Sequence, residues 1–335
     1  MGKLVEDLKK QEDLLMIYRK NIRKDLGMVQ IKVKKMLVFM WNKLVDMKIH
    51  VLNRLTIIKD QFMKCFLKPP TIQSIDETLT KIIRDKASVA RYGDGEFKLI
   101  HNQDITFQRA DKVLAESLKE ILLNEDDNFL VCLPDIFRDL LKYADEPKNY
   151  WSLHTAKYRL KWYKDLKKGK IYYNSFISRF YYPFRDKSKC KEWFMLLKLI
   201  WKDRDVVLIE GNKSRLGVGN DLFDNVKSIE RVLVPEEHAF SHYNKILTAA
   251  KQNDKSKLIL LAIGPTATIL AYDLYKEGYQ AVDIGHVDIE YEWFLRQAKT
   301  KIKIENKYVC EVGAGHGVGD TQDEKYLGEI KAVIR

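Results

Sequence analysis

The stretch "KLILLAIGPTATILAYDLYKEGYQAVDIG", residues 257–285, decides the fold class. An aliphatic run ends at Gly264–Pro265, a helical stretch starts near Thr266, and a second apolar run, "QAVDIG", ends at Gly285. Strand, turn, helix and strand in so short a span make a βαβ unit, whose two strands lie parallel. The same texture recurs at "SVARYG" (88–93), "FLVCL" (129–133), "DVVLIEG" (205–211) and "RVLVP" (231–235), with helical stretches between. Residues 71–335 are therefore expected to form an α/β domain, a mostly parallel sheet with helices on both faces. Ligands of such sheets sit beyond the carboxyl ends of the strands.

The totals set limits. A chain of 335 residues can bury a full core, and its 46% apolar and 32% charged residues are those of a globular protein, not a disordered one. Four cysteines, Cys65, Cys132, Cys190 and Cys310, show no CxxC spacing. That fits a reducing cytoplasm and argues against a disulfide framework or a Cys-rich zinc site. The start lacks a secretory h-region and no apolar run suffices to span a bilayer, so a cytoplasmic protein is expected. The net charge of +12 is concentrated: residues 1–68 hold 16 Lys and Arg against 7 Asp and Glu, and the other 267 hold 43 against 40. A near-neutral body makes nucleic acid an unexpected partner.

Residues 1–68 contain one glycine and no proline, and "KPP" closes them at Pro69–Pro70. Apolar residues recur at Leu37, Trp41, Leu44, Val51, Leu55, Ile58 and Phe62, a heptad stripe interrupted at Lys48. A weaker stripe runs Leu4, Leu8, Leu15, Tyr18, Ile22. The prediction is a long basic amphipathic helix. It could lie on anionic lipid at the inner face of the cell membrane, form the seam of a homo-oligomer, or pack on the body. The sequence leaves these open.

The chemistry-bearing motifs fall at strand ends. In "VARYGDGEFKLI" (89–100), Asp94 and Glu96 flank one glycine and follow another, Gly93. In an extended segment residues i and i+2 point the same way, so two hard oxygen ligands could converge on Mg2+ or Mn2+ while the glycines let a diphosphate approach; a polar turn explains the spacing equally well. "IEGNKSRLGVGNDLF" (209–223) is a glycine-rich loop bearing Ser214 and Arg215, whose fork suits phosphate oxygens. At Gly264–Thr266 a strand breaks into a helix start, which is an anion site or an ordinary N-cap. "VDIGHVDIEYEWF" (282–294) gathers Asp283, His286, Asp288, Glu290 and Glu292, part of which could supply a general base. Two stretches read as decoys. "VCEVGAGHGVGD" (309–320) imitates an S-adenosylmethionine methyltransferase motif but lies too near the end for that fold, and "HAFSH" (238–242) sets two histidines four apart without a zincin glutamate.

In order along the chain, "RYGDGE", "ISRFYYP", "EGNKSRLGVGNDLF", "AIGPTATILAYDL" and "DIGHVDIEYEWF" closely resemble the bacterial glycosyltransferases of GT-D fold, formerly domain of unknown function 1792. The resemblance covers about residues 75–333 and leaves residues 1–68 outside. It implies one Rossmann-like domain and a metal-dependent transfer of a hexose from a nucleotide sugar, a UDP-sugar, to a glycan acceptor. That acceptor would be lipid-linked or an adhesin glycan in surface polysaccharide or glycoprotein biosynthesis. By the same resemblance Asp94 and Glu96 would bind Mn2+ (or Mg2+) and the donor diphosphate. Arg91 would support the nucleotide end, with Gly93, Ser214, Arg215, Gly264 and Thr266 lining the donor pocket. The metal and Arg215 would stabilise charge on the leaving UDP, and Asp288 and His286 are the candidate bases of an inverting reaction. "EEHAF" (236–240) departs from the pattern, with His238 in place of an expected asparagine. A non-catalytic scaffold of a polysaccharide-assembly complex and, more remotely, a methyltransferase are the alternatives.

Overall fold

The computed structural model describes the backbone of residues 2–312, 315 and 317–335, and the side chains of Met16 and of residues 34–312, 315 and 317–335. The stripe from Leu4 to Ile22 thus lies outside the described side chains. Two compact units divide the chain, Met1–Lys59 and Asp60–Arg335.

Helix α1 (Gly2–Lys64) makes up the first unit and ends in the second. Its length follows from the near absence of glycine and proline. Its last turn is anchored by Asp60, buried and forked onto Arg159 (Nε 2.5 Å, Nη2 2.9 Å). No helix among the described residues is long and apolar enough to cross a membrane.

The second unit runs β1 (Thr71–Ile72), α2 (Ile75–Asp85), β2 (Ser88–Arg91), α3 (Asp94–Ile100), α4 (Lys112–Leu122), β3 (Phe129–Leu133), α5 (Asp145–Asp165) and β4 (Ile171–Asn174). It continues through α6 (Cys190–Trp201), β5 (Asp205–Gly211), β6 (Ser228–Val234), α7 (Tyr243–Lys251), β7 (Leu258–Ala262), α8 (Thr266–Lys276), β8 (Gln280–Asp283), α9 (Val287–Leu295), α10 (Glu324–Glu329) and β9 (Ile330–Val333). The nine strands form one sheet in the order β1-β4-β3-β2-β8-β7-β5-β6-β9. Every pairing is parallel, so the expected mostly parallel sheet is wholly so. The opening βαβ unit is β7–α8–β8, paired from Leu258↔Gln280 to Leu261↔Asp283. Leu208, Ile209, Leu260 and Leu261 are fully buried, which is why β5 and β7 read as unbroken aliphatic runs.

Helices α4, α7 and α8 pack together, and α2 packs on α6. Right-handed crossovers put these groups on opposite faces, because β2→β3 and β7→β8 step one way along the sheet and β4→β5 the other. From β2 the chain leaves toward β3, and from β8 it leaves toward β9. These neighbours therefore form a topological switch point, with a crevice at their carboxyl ends.

Candidate active site

A cleft of about 540 Å3 opens at that switch point. Arg91, Pro134, Ser175, Gly211, Pro235, Ala262 and Asp283, at or just past the carboxyl ends of β2 to β8, line it. Its floor is an ion pair across the switch: Arg91 donates from Nη2 to Asp283 Oδ1 (2.7 Å) and from Nε to the Asp283 carbonyl (2.9 Å). Burial raises the Asp283 carboxyl, and the Arg91 guanidinium opposes that shift. Gly285 (φ +41°) makes room for that guanidinium, since a Cβ there would stand 1.8 Å from Arg91 Nη2. Thr268, at the start of α8, fixes β2 by donating to the Arg91 carbonyl (3.0 Å).

Asp94 and Glu96 are not in an extended segment. They occupy the first turn of α3, where residues two apart point away from one another. Glu96 Oε2 turns back to accept the Gly93 N–H (2.7 Å), as in a capping box, and burial pushes its carboxyl up to about 7. The Asp94 side chain, 31% exposed, faces the cleft and accepts from Lys98 Nζ (2.6 Å) and Tyr150 OH (2.5 Å). An aromatic cluster holds α3 in place: Phe97 stacks on Trp162 of α5 (centroids 4.3 Å, 15°), beside His154 and Tyr158.

Of the other expected residues, Gly93, Ser214, Gly264, His286 and Asp288 line the cleft together with Arg91, and Arg215 and Thr266 do not. Arg215 is buried and donates to the carbonyls of Asn306 (2.9 Å) and Gly319 (2.5 Å), tying down the C-terminal strap in place of a phosphate. Thr266 is fully buried at the start of α8. Asp288 reaches the wall with both oxygens engaged: Oδ1 accepts from Gly217 N–H (2.9 Å) and Asn220 (2.8 Å), and Oδ2 from Lys307 (2.7 Å). Glu292 completes this ionic knot through Lys307 (3.0 Å) and Asn220 (2.7 Å). Glu290 accepts from the N–H groups of Tyr181 and Tyr182 (both 2.8 Å). His286 caps α9 with its side chain 32% exposed; burial, with Arg179, Arg91 and Lys301 nearby, pushes it down to about 4 against the pull of Glu311.

Sequence reasoning passed over several residues of the wall. Arg179 lies between Glu290 and Glu311, bonded to the latter, and Lys301 pairs with Glu311 (3.4 Å) and Glu146 (3.1 Å). These cations hold the Glu311 carboxyl down at about 2. Arg179 stands in the quoted "ISRFYYP", but its residue types carry no spacing rule, and Lys301 lies past α9 in a lysine-rich stretch with no strand to mark it. Phe107 also faces the cleft, packed over Gly264 (φ +59°), whose Cβ would lie 3.0 Å from the ring. His238 fixes this loop from both sides: its N–H donates to the Phe107 carbonyl (2.8 Å) and its Nδ1 accepts the Arg109 N–H (3.2 Å). His238 precedes the 3-10 turn Ala239–His242, so the two histidines of "HAFSH" are not one helical turn apart.

Mn2+ and Mg2+ take one or two carboxylates and leave positions for phosphate oxygens and water. Asp94, accessible at the cleft wall, fits; Glu96 also lines the cleft, half-buried, with its Oε2 committed to the Gly93 N–H that caps α3. His286, Cys310 and Glu311 bring ligand atoms within 4.8 Å of one another, but that N, S, O set suits softer metals and Glu311 is already neutralised by Arg179 and Lys301. The described residues of 309–320 lie in turn and loop, without the strand–turn–helix a methyltransferase motif needs.

Residues 89–312 match the family described as Glycosyltransferase GT-D fold. A probable glycosyl transferase Gly of Streptococcus gordonii is 38% identical over 263 residues, 78% of this chain and 38% of that protein. Glycosyltransferase GlyD of Streptococcus pneumoniae serotype 4 is 38% identical over 264 residues, 78% of this chain and 32% of its own length. The chain thus spans well under half of the curated relatives it matches. A solved structure described as the domain of unknown function 1792 with a distinct glycosyltransferase fold superposes with a TM-score of 0.77 at 36% identity, covering 84% of this chain and 100% of the other. Another, described as a new glycosyltransferase from Streptococcus sanguinis, gives 0.75 at 38% identity over 80% and 100%. The cleft at the switch point and the family match agree, and the chain belongs to the glycosyltransferases of GT-D fold.

Proposed function

We propose that this chain moves a hexose from a nucleotide sugar, with UDP as the nucleotide, to a glycan acceptor of bacterial surface polysaccharide or glycoprotein. The observation that best supports this is the composition of the cleft: Arg91, Lys98, Arg179 and Lys301 line it together with the accessible carboxylate of Asp94, at the carboxyl ends of a parallel sheet. Such a site suits a diphosphate, whose charge grows as the sugar departs. A Mn2+ or Mg2+ ion held by Asp94 would supply neutralisation of that charge. Lys98 would be released from Asp94 to the phosphates, and Arg179 and Lys301 would face the same charge from the far wall. Phe107, which has no ring partner among the described residues, offers a stacking face for the base.

His286 is the better placed proton acceptor for the incoming hydroxyl. Its lowered pKa keeps the imidazole neutral at neutral pH, whereas both Asp288 oxygens are taken. Titration calorimetry of UDP, with Mn2+ and with chelator, tests the reading on the wild type and on Asp94→Ala. The expected result is metal-dependent binding that the variant loses. Failure of the wild type to bind UDP in either condition would overturn the donor assignment, and binding indifferent to chelator would overturn the metal.

A further inference from the structure

Helix α1 presents a broad apolar surface that the sugar-transfer reading does not use. Leu37, Trp41, Leu44, Val51, Leu55 and Ile58 are each half or more exposed, Trp41 by 68%. At 3.6 residues per turn they fall on one side of the helix, and Met40, Val45 and Leu52 widen that side in both directions. Lys35, Asn42, Lys43, Asp46, Asn53 and Arg54 occupy the opposite arc, where Phe39 and Met36 are the exposed large apolar residues. The apolar arc spans roughly half the circumference, well beyond the narrow seam of a two-stranded coiled coil.

Charge decides between a second copy and a lipid surface. Residues 34–68 hold eight Lys and Arg against two Asp. A coiled coil places acids beside its seam to meet the partner's cations. Here both acids, Asp46 and Asp60, lie on the polar arc, and Asp60 is already bonded to Arg159. Lys48 falls within the stripe itself, so two copies in register would set like charges together. An anionic bilayer complements Lys34, Lys48 and Lys59, which fall within the apolar arc, and lysine stems within an apolar face can extend their ammonium groups to the headgroups.

We propose that α1, between Met36 and Ile58, binds along an anionic phospholipid surface. The bound segment would be about 35 Å long and lie in the plane of the interface. This stands apart from the donor chemistry proposed above.

Vesicle flotation of the full-length chain tests it, comparing phosphatidylcholine vesicles with and without about one-third phosphatidylglycerol. The expected result is flotation with the anionic vesicles only, weakening as salt shortens the screening length. Lys34→Gln, Lys48→Gln and Lys59→Gln together should weaken it on the order of 100-fold, at about fivefold per cation. UDP titration of the same variant should match the wild type, which shows that it is folded. Absence of flotation at low salt, or equal flotation with neutral vesicles, would overturn the proposal. A concentration-independent dimer that does not float would assign the face to a second copy. Loss of UDP binding in the wild type would touch only the donor reading.

Discussion

Gly285→Ala is the sharpest probe of the cleft floor. Two costs can be worked out from the structure. The backbone at Gly285 has φ +41°, where an L-residue with a Cβ costs about 1–2 kcal/mol. The added Cβ would also lie 1.8 Å from Arg91 Nη2, about half the usual separation of non-bonded heavy atoms. Arg91 must then retreat by more than an ångström and give up its 2.7 Å bond to Asp283. Losing a buried charged hydrogen bond costs about 1.5–3 kcal/mol. The sum is about 2.5–5 kcal/mol, measurable by urea unfolding followed through tryptophan fluorescence. The second cost needs the guanidinium, so in an Arg91→Ala background Gly285→Ala should cost only the backbone part, about 1–2 kcal/mol. Equal costs in both backgrounds, or a loss below about 1 kcal/mol in the wild type, would refute the claim that Gly285 exists to admit Arg91.

Asp60→Ala strands the buried Arg159 and should lower stability by about 3–5 kcal/mol, seen as a fall in Tm, although neither residue lines the cleft. Asp288→Ala should likewise destabilise, because it removes one of the two carboxylates on buried Lys307 and the acceptor of the Gly217 N–H and Asn220, while His286→Ala should leave Tm near the wild-type value and reduce sugar transfer; the reverse pattern would exchange their roles. Burial raises Glu290 to about 7, with Glu311 adding to the shift and Arg179 opposing it. A raised acid favours the fold below its unfolded pKa and loses that contribution as pH climbs through the folded value. Glu290→Gln should therefore flatten the decline in urea stability between about pH 4.5 and 7; an unchanged slope would show that Glu290 is not its source.

The sheet was legible where a strand is buried on both faces. The aliphatic runs of β5 and β7 announce themselves, and β8 follows from the turn at Gly278. The strands toward the sheet's margins were not foreseen: β1 is two residues long, β4 reads "IYYN", and β9 alternates in exposure as an edge strand does. Short or half-exposed strands leave no run to detect. The location of the site was legible for the same reason, since strand ends carry the glycines and acids. The directions of its side chains were not. Glu96 turns back on Gly93 because the strand gives way to helix at Asp94, and Arg215 turns away because the strap from Asn306 to Gly319 offers it carbonyls. Spacing cannot report which of two partners, a ligand or the chain itself, takes an arginine.

The neighbours at the middle of the sheet lie far apart along the chain: Val89 pairs with Val282. The floor of the cleft is closed by that same junction, so it cannot exist until the chain is synthesised past Gly285. Until then β2 presents one unpaired edge, and the loop that must close is among the longest the topology allows. Such non-local parallel pairing slows folding and leaves strand edges open to wrong partners. The cleft is therefore among the last parts to be assembled, and a nascent chain holding Asp94 and Lys98 has no closed floor beside them.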